Sequence, residues 1–472
     1  MKEQPTAKAT SKPSGWIYDA LALTLIFSWI LTYPMHGFFL QQVFGENAYV
    51  LGHIFSLSHG LGLAAFAFLP SRAAMDGRFL IAAGSAVFAA TWLWTIFPES
   101  RYLQYMAGLL GISSACLVLA WTRGFMLLEK PALTVGSAMA ATNVILGLTG
   151  FAHVLPESIL KTAASMTGLA PLLSALYMFR KGAVTYRHQP NRDVGKESTG
   201  LGVIFSLTAF AAAAYFSGGL WYRAVTPLFY SQWPDLMGVD TLIYAFAVMF
   251  LAIYAEKRSF YWVGTISLSL LGMGLAASFI GLDRPAVVAV TLLFLSMGLG
   301  ATDLFYWLTL RKMAYFFGCQ KTFGLGLGLS LFFITAPGVA LDAQFLTSPL
   351  TSPQAAVIGA CLLFLINPLL VWSLRPLSLE DSGRTPGNTY GQAAPGTDTP
   401  EGAGQQQPEF WFSLTGSEKK IYDLVCQGQT DAEIAEKLFI SRHTVKFHVR
   451  NILRKAGVSN RKELLFFISK SK

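Results

Sequence analysis

The chain has 472 residues and a formal net charge of +9, but only 13% of its residues are charged and 53% are hydrophobic. Soluble domains carry about 25% charged residues, so the composition excludes a wholly soluble protein and indicates a polytopic membrane protein. The four cysteines lack the spacing of a metal or redox motif, and neither a metal site nor a cofactor is predicted.

Hydropathy divides the first part of the chain into a polar N-terminal tail, residues 1–15, and a membrane domain, residues 16–375. The domain is predicted to contain about twelve helices, each able to cross roughly 30 Å of hydrocarbon. Their predicted limits are 16–40, 47–69, 79–97, 102–125, 131–155, 158–179, 200–222, 237–255, 260–282, 285–310, 314–341 and 353–374.

The basic residues of the loops orient these helices. If the N-terminus and the even-numbered loops lie in the cytoplasm, that side carries sixteen Lys and Arg residues and the opposite side four. Cytoplasmic loops carry such an excess in membrane proteins generally. We therefore expect a multi-pass protein of the cell inner (cytoplasmic) membrane, with both termini in the cytoplasm.

The longest internal loop, 180–199, is basic and divides the predicted helices into two sets of six. This 6+6 array resembles the major facilitator superfamily, in which two six-helix halves surround a central cavity. The superfamily's motif in the loop between the second and third helices is represented only by Asp76, Gly77 and Arg78. The resemblance covers about residues 16–375 and implies the architecture, while active transport stays an open alternative.

Ionisable residues inside membrane helices indicate functional sites, because burying a charge in lipid is unfavourable. Asp303 and Lys321 both lie nine residues from Lys312 in the predicted turn between the tenth and eleventh helices. They are therefore expected at similar depth, as a salt bridge that either belongs to a ligand or proton site or is purely structural. Arg223 is a further candidate for this site. Aromatic residues predict either a ligand pocket or ordinary packing, and they are Tyr215, Phe216, Trp221, Tyr222, Tyr306 and Trp307.

Glycines alternate with leucines in the run Gly324-Leu325-Gly326-Leu327-Gly328. A nucleotide-binding loop is disfavoured here, since the run lies in an apolar helix with no strand before it. The run instead predicts close packing of one membrane helix against another.

Residues 376–409 are rich in Pro, Gly, Gln, Thr and Ser and nearly lack apolar side chains. That composition predicts a disordered linker with an r.m.s. span of roughly 30–35 Å. It would tether the following domain, residues 410–472, close to the membrane.

Four helices are predicted in residues 410–472. The spacing Thr415-x-x-Glu418 is a capping box for the first helix, which ends at Gly428. The others are predicted at 431–438, after Ser441 as far as Gly457, and at 460–468.

The third of these helices carries Arg442, Lys446, Arg450 and Arg454 at a four-residue spacing. Like charges at that spacing destabilise an isolated helix, so the stripe indicates a polyanionic partner. Residues 411–472 contain twelve Lys and Arg against six Asp and Glu. This net charge of +6 predicts that the domain binds DNA.

Motifs throughout this region resemble the LuxR-type helix-turn-helix domain. The matching positions include Gly428-x-Thr430-x-x-Glu433-Ile434-Ala435-x-x-Leu438-x-Ile440-Ser441 and Thr444-Val445-Lys446-x-His448-Val449-x-Asn451-Ile452-x-x-Lys455-x-Gly457-Val458-x-x-Arg461-x-Glu463-Leu464. The resemblance covers about 60 residues and implies an all-α domain of four helices, with the helix-turn-helix at about 431–450.

The resemblance also implies roles for individual residues, since the third helix of the family enters the major groove of promoter DNA. Lys446 and Arg450 are expected to donate to base edges, and Phe447 to contact a thymine methyl group. Residues expected to contact phosphate or position the domain are Thr430, Arg442, His443, Thr444, Asn451 and Lys455. The fourth helix is expected to form a homodimer through Leu464, Leu465 and Phe467.

Three functions are consistent with this organisation. The first is a one-component transcription regulator whose membrane domain senses a small molecule or a protein partner and whose C-terminal domain binds double-stranded promoter DNA. The second is an active transporter with an appended regulatory domain. The third is a purely structural membrane anchor. No nucleophile–base pair, metal-ligand spacing or phosphate loop indicates an enzyme.

Overall fold

The computed structural model describes residues 15–35, 37–68, 77–150, 155–181, 197–257, 260–345, 361, 414, 416–437, 442–456, 458, 460–461 and 463–464. The chain falls into two compact units, Met1–Leu374 and Arg375–Lys472. Apart from residue 361, the predicted twelfth span at 353–374 and the predicted linker at 376–409 lie outside the described residues. In the part of the chain that is described, all regular secondary structure is helical.

Thirteen α-helices and one short 3-10 helix (Pro234–Leu236) make up the described part of the first unit. The α-helices are α1 (Trp16–Thr32), α2 (Phe38–Phe44), α3 (Asn47–Phe66), α4 (Gly77–Ile96), α5 (Leu103–Phe125), α6 (Pro131–Thr149), α7 (Glu157–Met166), α8 (Leu169–Lys181), α9 (Glu197–Gln232), α10 (Val239–Lys257), α11 (Tyr261–Ser278), α12 (Pro285–Phe317) and α13 (Cys319–Phe345).

Seven helical segments among the described residues are long and apolar enough to cross a membrane, and three shorter apolar helices accompany them. Eleven of the twelve predicted spans contain a described helix. Their limits differ from prediction in several places. The first span ends at Thr32, the sixth is divided between α7 and α8, and α9 extends to Gln232.

The surface of this unit is apolar, as a lipid-facing surface requires. Large side chains such as Tyr105 (77% exposed), Phe246 (72%) and Phe250 (62%) lie on the outside of the helices. Apolar exposure on this scale is unfavourable in water and expected in a bilayer. The unit is a polytopic membrane bundle.

The helices pack as two groups, α1–α8 and α9–α13, joined mainly where α6 contacts α10 and α3 contacts α13. Glycines permit these close approaches. A Cβ atom built on Gly328 would lie 2.6 Å from the Gly60 carbonyl oxygen, and one on Gly324 would lie 2.7 Å from that of Leu63. The prediction that the glycine run mediates close helix packing is therefore confirmed.

Polar side chains also connect the two groups at one end of the bundle. Arg311 of α12 donates to the carbonyl oxygens of Phe125, Met126 and Leu128, at 3.0–3.1 Å. These carbonyls belong to the end of α5 and the residues after it, which lack partners within the helix. At the start of α6, the Leu133 N–H donates to Glu256 Oε2 of α10 at 3.0 Å.

The C-terminal unit contains α14 (Gly416–Cys426), α15 (Asp431–Lys437) and α16 (Arg442–Lys455). The helix α14 ends at Cys426, and Gly428, the predicted terminating glycine, follows it with a positive φ of 79°. The Gln429 N–H donates back to the Leu424 carbonyl at 3.2 Å, which is the hydrogen bond of a glycine-terminated helix. The helices enclose a core of their own: Leu414, Ile421, Tyr422, Leu424, Val425, Ile434, Ala435, Val445, Val449, Ile452 and Leu464.

Candidate nucleic-acid interface and membrane polar site

The core of the C-terminal unit sets the orientation of α16. Val445, Val449 and Ile452 are buried against the other helices, whereas Lys446 and Arg450 are exposed. Residues four apart lie on the same face of a helix. The helix therefore presents two hydrogen-bond donors to solvent on one face, as the sequence predicted for contacts with base edges.

Other predicted DNA-binding residues are placed only by their backbone. Arg442, His443 and Thr444 form the first turn of α16, and Phe447 lies one turn later. The N-terminus of a helix favours phosphate, because free N–H groups and the helix dipole point at it. Asn451, in the second half of α16, is half-buried.

Lys455 lies in different surroundings from those predicted. Its Nζ forms an ion pair of 2.6 Å with Glu418 Oε2 of α14, and the Glu418 side chain is only 6% exposed. The ammonium group therefore joins α14 to α16 within the domain. The contact of Lys455 with a phosphate stays a prediction.

Thr430 caps α15. Its N–H donates to Glu433 Oε2 at 2.7 Å, its hydroxyl donates to the same oxygen at 2.9 Å, and its Oγ1 accepts from the Glu433 N–H at 3.4 Å. Both hydrogen bonds to the carboxylate lower the pKa of Glu433. The sequence pattern Thr430-x-x-Glu433 could have predicted this second capping box. The sequence prediction used it only as part of the LuxR-type motif.

Arg461 is a structural residue that sequence reasoning did not single out. Its guanidinium donates to Asp431 Oδ1 at 3.0 Å and to the Gln429 carbonyl oxygen. It thereby connects the segment after α16 with the start of α15. A second local cap follows, in which Asn460 Oδ1 accepts from the Glu463 N–H at 2.9 Å.

Of the three residues predicted to form the dimer contact, Leu464 is buried. Its side chain is 0% exposed and belongs to the core of its own domain. A side chain buried in this way is not available to a second copy. Leu465 and Phe467, the other two residues predicted for dimerisation, lie outside the described residues.

His448 faces the core from α16 and is 4% exposed. Burial disfavours the imidazolium form and lowers the pKa of His448, while the negative charge of Glu418 acts in the opposite direction. Burial is the larger effect, so the folded domain favours the neutral imidazole.

In the membrane unit, Asp303 of α12 accepts hydrogen bonds on both carboxylate oxygens. The Tyr215 hydroxyl of α9 donates to Oδ1, and the Tyr244 hydroxyl of α10 donates to Oδ2. Tyr215 was a predicted pocket residue, whereas Tyr244 was not singled out. The available signal was a tyrosine within an apolar span, five residues after the start of α10.

The predicted pairing of Asp303 with Lys321 does not occur. Helix α12 continues to Phe317 and the turn lies at Gly318, six residues beyond the predicted one. Lys321 is thus at the start of α13, about 4 Å along the helix from the turn, whereas Asp303 is about 21 Å from the end of α12. Lys321 is exposed, and Arg223 lies within α9 with its side chain outside the described residues.

Two other aromatic candidates, Tyr306 and Trp307, form packing and helix contacts, and the side chains of Trp221 and Tyr222 lie outside the described residues. Trp307 is 5% exposed and meets the rings of Phe27, Trp121 and Phe323 at centroid distances of 5.6–5.9 Å. The Tyr306 hydroxyl donates to the Gly326 carbonyl at 2.7 Å. Within the described residues, no three His, Cys, Asp or Glu side chains are grouped so as to hold a metal ion.

Comparison with known proteins gives a family match for the C-terminal unit. The model of the family described as bacterial regulatory proteins, luxR family, matches residues 412–468. The spore germination protein GerE of Bacillus subtilis is 42% identical over 50 residues, which are 11% of this chain and 68% of GerE.

Longer regulators match over the same region. The transcriptional regulatory protein LiaR of Bacillus subtilis is 51% identical over 49 residues, which are 10% of this chain and 23% of LiaR. The transcriptional regulatory protein YhcZ of the same organism is 39% identical over 64 residues, 14% of this chain and 30% of YhcZ. The chain thus spans less than a third of either protein.

The membrane unit resembles solved transporters. The human organic anion transporter MFSD10 superposes with a TM-score of 0.56 at 14% identity, covering 76% of this chain and 100% of that one. The Major Facilitator Superfamily transporter FucP, in the outward conformation, gives a TM-score of 0.52 at 12% identity and covers 76% and 98%. At these identities the likeness shows the fold, which is that of the major facilitator superfamily.

Proposed function

Because the chain belongs to the luxR family of bacterial regulatory proteins through its C-terminal domain, we propose that it is a membrane-embedded one-component transcription regulator. Its membrane domain is the sensor of a small-molecule or protein signal, and its C-terminal domain binds promoter DNA. The observation that carries the proposal is the exposure of Lys446 and Arg450 on one face of α16, in a chain whose other unit is a multi-pass membrane bundle.

In this proposal, α16 enters the major groove and its two exposed donors contact base edges, guanine being the favoured partner. Phe447 contacts a thymine methyl group. Thr430, Arg442, His443, Thr444 and Asn451 hold the phosphates or position the helix.

The proposed protein lies in the cell inner membrane, and the excess of basic residues in alternate loops supports cytoplasmic termini. DNA binding then occurs on the cytoplasmic side. The signal acts by binding one conformation of the membrane domain more tightly than another. Homodimerisation through the segment after α16 is part of the proposal, with Leu465 and Phe467 as the contact residues.

Promoter occupancy in cells tests the regulator function. Full-length protein carrying both Lys446→Ala and Arg450→Ala should lose occupancy at its sites while its amount in the membrane stays the same. Each substitution alone should weaken specific binding roughly 5- to 150-fold, because one base contact contributes about 1–3 kcal/mol of discrimination.

Lys419→Ala on α14 is the control for either single substitution, since it removes one positive charge from another helix and should retain occupancy. If the double variant occupied the same sites as the wild type, DNA recognition by α16 would be refuted. A purely structural membrane anchor would show no promoter occupancy in either protein.

The second candidate is an active transporter with an appended regulatory domain. The carboxylate of Asp303, held in the middle of a membrane helix, favours it, because ionisable groups at such positions line transport pathways in many membrane proteins. Uptake of a substrate by cells, abolished by Asp303→Asn, would support transport.

A further inference from the structure

Three helices of the membrane domain converge on the carboxylate of Asp303. The hydroxyl groups of Tyr215 and Tyr244 approach from α9 and α10, one on each carboxylate oxygen. Asp303 lies eighteen residues after the start of α12 and fourteen before its end, which places it near mid-membrane. All three residues are half-buried.

Two other carboxylates of the membrane unit are buried, those of Asp19 in α1 and Asp240 in α10, and Asp303 differs from Asp19 in its partners. Asp19 of α1 is neutralised by Lys181, whose Nζ lies 2.5 Å from its Oδ1. Among the described residues, no Lys, Arg or His forms an ion pair with Asp303. Arg223 is two helical turns from Tyr215 along α9, about 12 Å. Phenol groups donate hydrogen bonds but bring no positive charge.

An uncompensated carboxylate at mid-membrane is unfavourable. A positive charge brought by a ligand removes that penalty. The oxygen atoms that the cluster offers restrict which class of cation can bind there. Ca²⁺ takes six to eight oxygen ligands, largely from protein carboxylates and carbonyls, whereas the cluster offers one carboxylate and two phenol oxygens. An ammonium group is satisfied by one carboxylate and is attracted to aromatic faces, which Tyr215 and Tyr244 supply.

We infer that Asp303, Tyr215 and Tyr244 form a binding site for an organic cation of the ammonium type. The inference rests on the proposed function in one respect, that the membrane domain is the sensor, and it names the chemical class of the signal. The carboxylate supplies the charge, the two hydroxyls hold it in place, and the two rings flank the cation.

Direct binding to the purified full-length protein, in the absence of DNA, tests the site. The probes are ethylammonium, phenethylammonium, tetraethylammonium and tetraphenylphosphonium at up to millimolar concentration, with 2-phenylethanol and 3-phenylpropionate as neutral and anionic counterparts. At least one cation should bind saturably, and neither counterpart should. Asp303→Asn should weaken that binding roughly 10- to 150-fold, the range for losing a hydrogen bond to a charged group.

Two further variants separate the site from a general effect on folding. Tyr215→Phe and Tyr244→Phe keep the rings, and each should weaken binding less than Asp303→Asn does. Asp283→Asn is the matched control, because Asp283 is exposed between α11 and α12, and it should bind as the wild type does. Thermal midpoints in detergent should agree among the compared proteins.

The inference is overturned if none of the four cations binds, or if Asp303→Asn binds them as well as the wild type. Uptake of a proton by Asp303 with no cation binding also overturns it. Failure of the proposed regulator function would give a different result from failure of this inference. A cation that binds at Asp303 but does not change promoter occupancy would support the binding site and contradict the proposal that the membrane domain is a sensor.

Discussion

Lys446, Arg450 and Lys455 lie on the same helix of the C-terminal domain but in different surroundings. Lys446 and Arg450 are separated by four residues and are both exposed. Lys455 follows Arg450 by five residues, which turns it about 140° around the helix, and there it meets the buried Glu418. A basic residue in the sequence of α16 is thus a candidate DNA contact only if its face of the helix is free.

Lys455→Ala should destabilise the C-terminal domain by roughly 1–3 kcal/mol, because the Glu418 carboxylate would stay buried without its cation. Urea unfolding of residues 375–472 measures the change. Lys455→Met together with Glu418→Leu should recover stability, since both charges are removed. Unchanged stability together with a shallower salt dependence of DNA binding would instead assign Lys455 to a phosphate.

His448 should make the same domain less stable in acid. Burial lowers the pKa of His448 in the folded state, whereas the unfolded chain has the ordinary value of about 6.5. The contribution of the neutral imidazole is therefore fully present above pH 6.5 and is lost as the pH falls below it, because the unfolded state then binds the extra proton.

Unfolding free energies of residues 375–472 at pH 7.5 and pH 5.5 would measure this effect. His448→Gln should show a smaller difference between the two pH values than the wild type does. An equal difference in both proteins would assign the acid sensitivity to the carboxylates.

At the level of whole helices, glycines determine how closely the two groups of the membrane bundle approach. Gly60, Gly324 and Gly328 lie where α3 contacts α13, and Gly136 and Gly147 lie where α6 contacts α10. In lipid, helices associate through packing and hydrogen bonds and gain little from the hydrophobic effect. Close backbone approach is therefore a main source of stability between the two groups.

Gly328→Ala should lower the thermal midpoint of the full-length protein in detergent. The added Cβ would lie 2.6 Å from the Gly60 carbonyl oxygen and 2.8 Å from the Ala64 nitrogen. Both are backbone atoms that can move only with α3, and overpacking of this kind costs about 1–3 kcal/mol.

Gly272→Ala on α11 is the matched control, since nothing lies within 4 Å of a Cβ atom there. It should leave the midpoint unchanged or raise it slightly, because alanine favours a helix more than glycine does. Equal midpoints in the two variants would contradict the proposed role of the α3–α13 contact.

The end of α12 shows how charge can mislead the prediction of a helix boundary. Arg311 and Lys312 were interpreted as a turn, because charged residues in an apolar sequence usually lie in loops. In the structure the helix continues through them to Phe317, and carbonyl oxygens at the end of α5 accept from Arg311. The misplaced turn produced the incorrect pairing of Asp303 with Lys321.

For the whole molecule, the division into two units has a functional consequence. The C-terminal unit has its own buried core, and the matched segment makes up 68% of the GerE protein. A domain with its own core can fold alone.

Residues 375–472 produced alone should fold and bind the promoter sites of the full-length protein. Their binding should not respond to the signal, because the proposed sensor is absent. A fluorescence anisotropy titration with promoter DNA measures both properties. An unfolded fragment would show that the membrane unit is required for folding of the DNA-binding domain.

Features with a short-range cause were determined by the sequence alone. Apolar runs long enough for lipid predicted the membrane helices, because the thickness of the bilayer sets their length. Gly428 predicted the end of α14, and the spacing of buried residues in α16 predicted which face carries Lys446 and Arg450, because helical periodicity is a local property. The luxR motif followed from the same local patterns.

Only the tertiary structure decided which side chains meet across helices. It assigned Glu418 to Lys455, buried Leu464 in its own domain, and placed Tyr215 and Tyr244 on Asp303. These partners lie between 37 and 88 residues apart in the chain. Their meeting depends on helix lengths and rotations that accumulate over several elements, so an error of six residues at one turn is enough to exchange one partner for another.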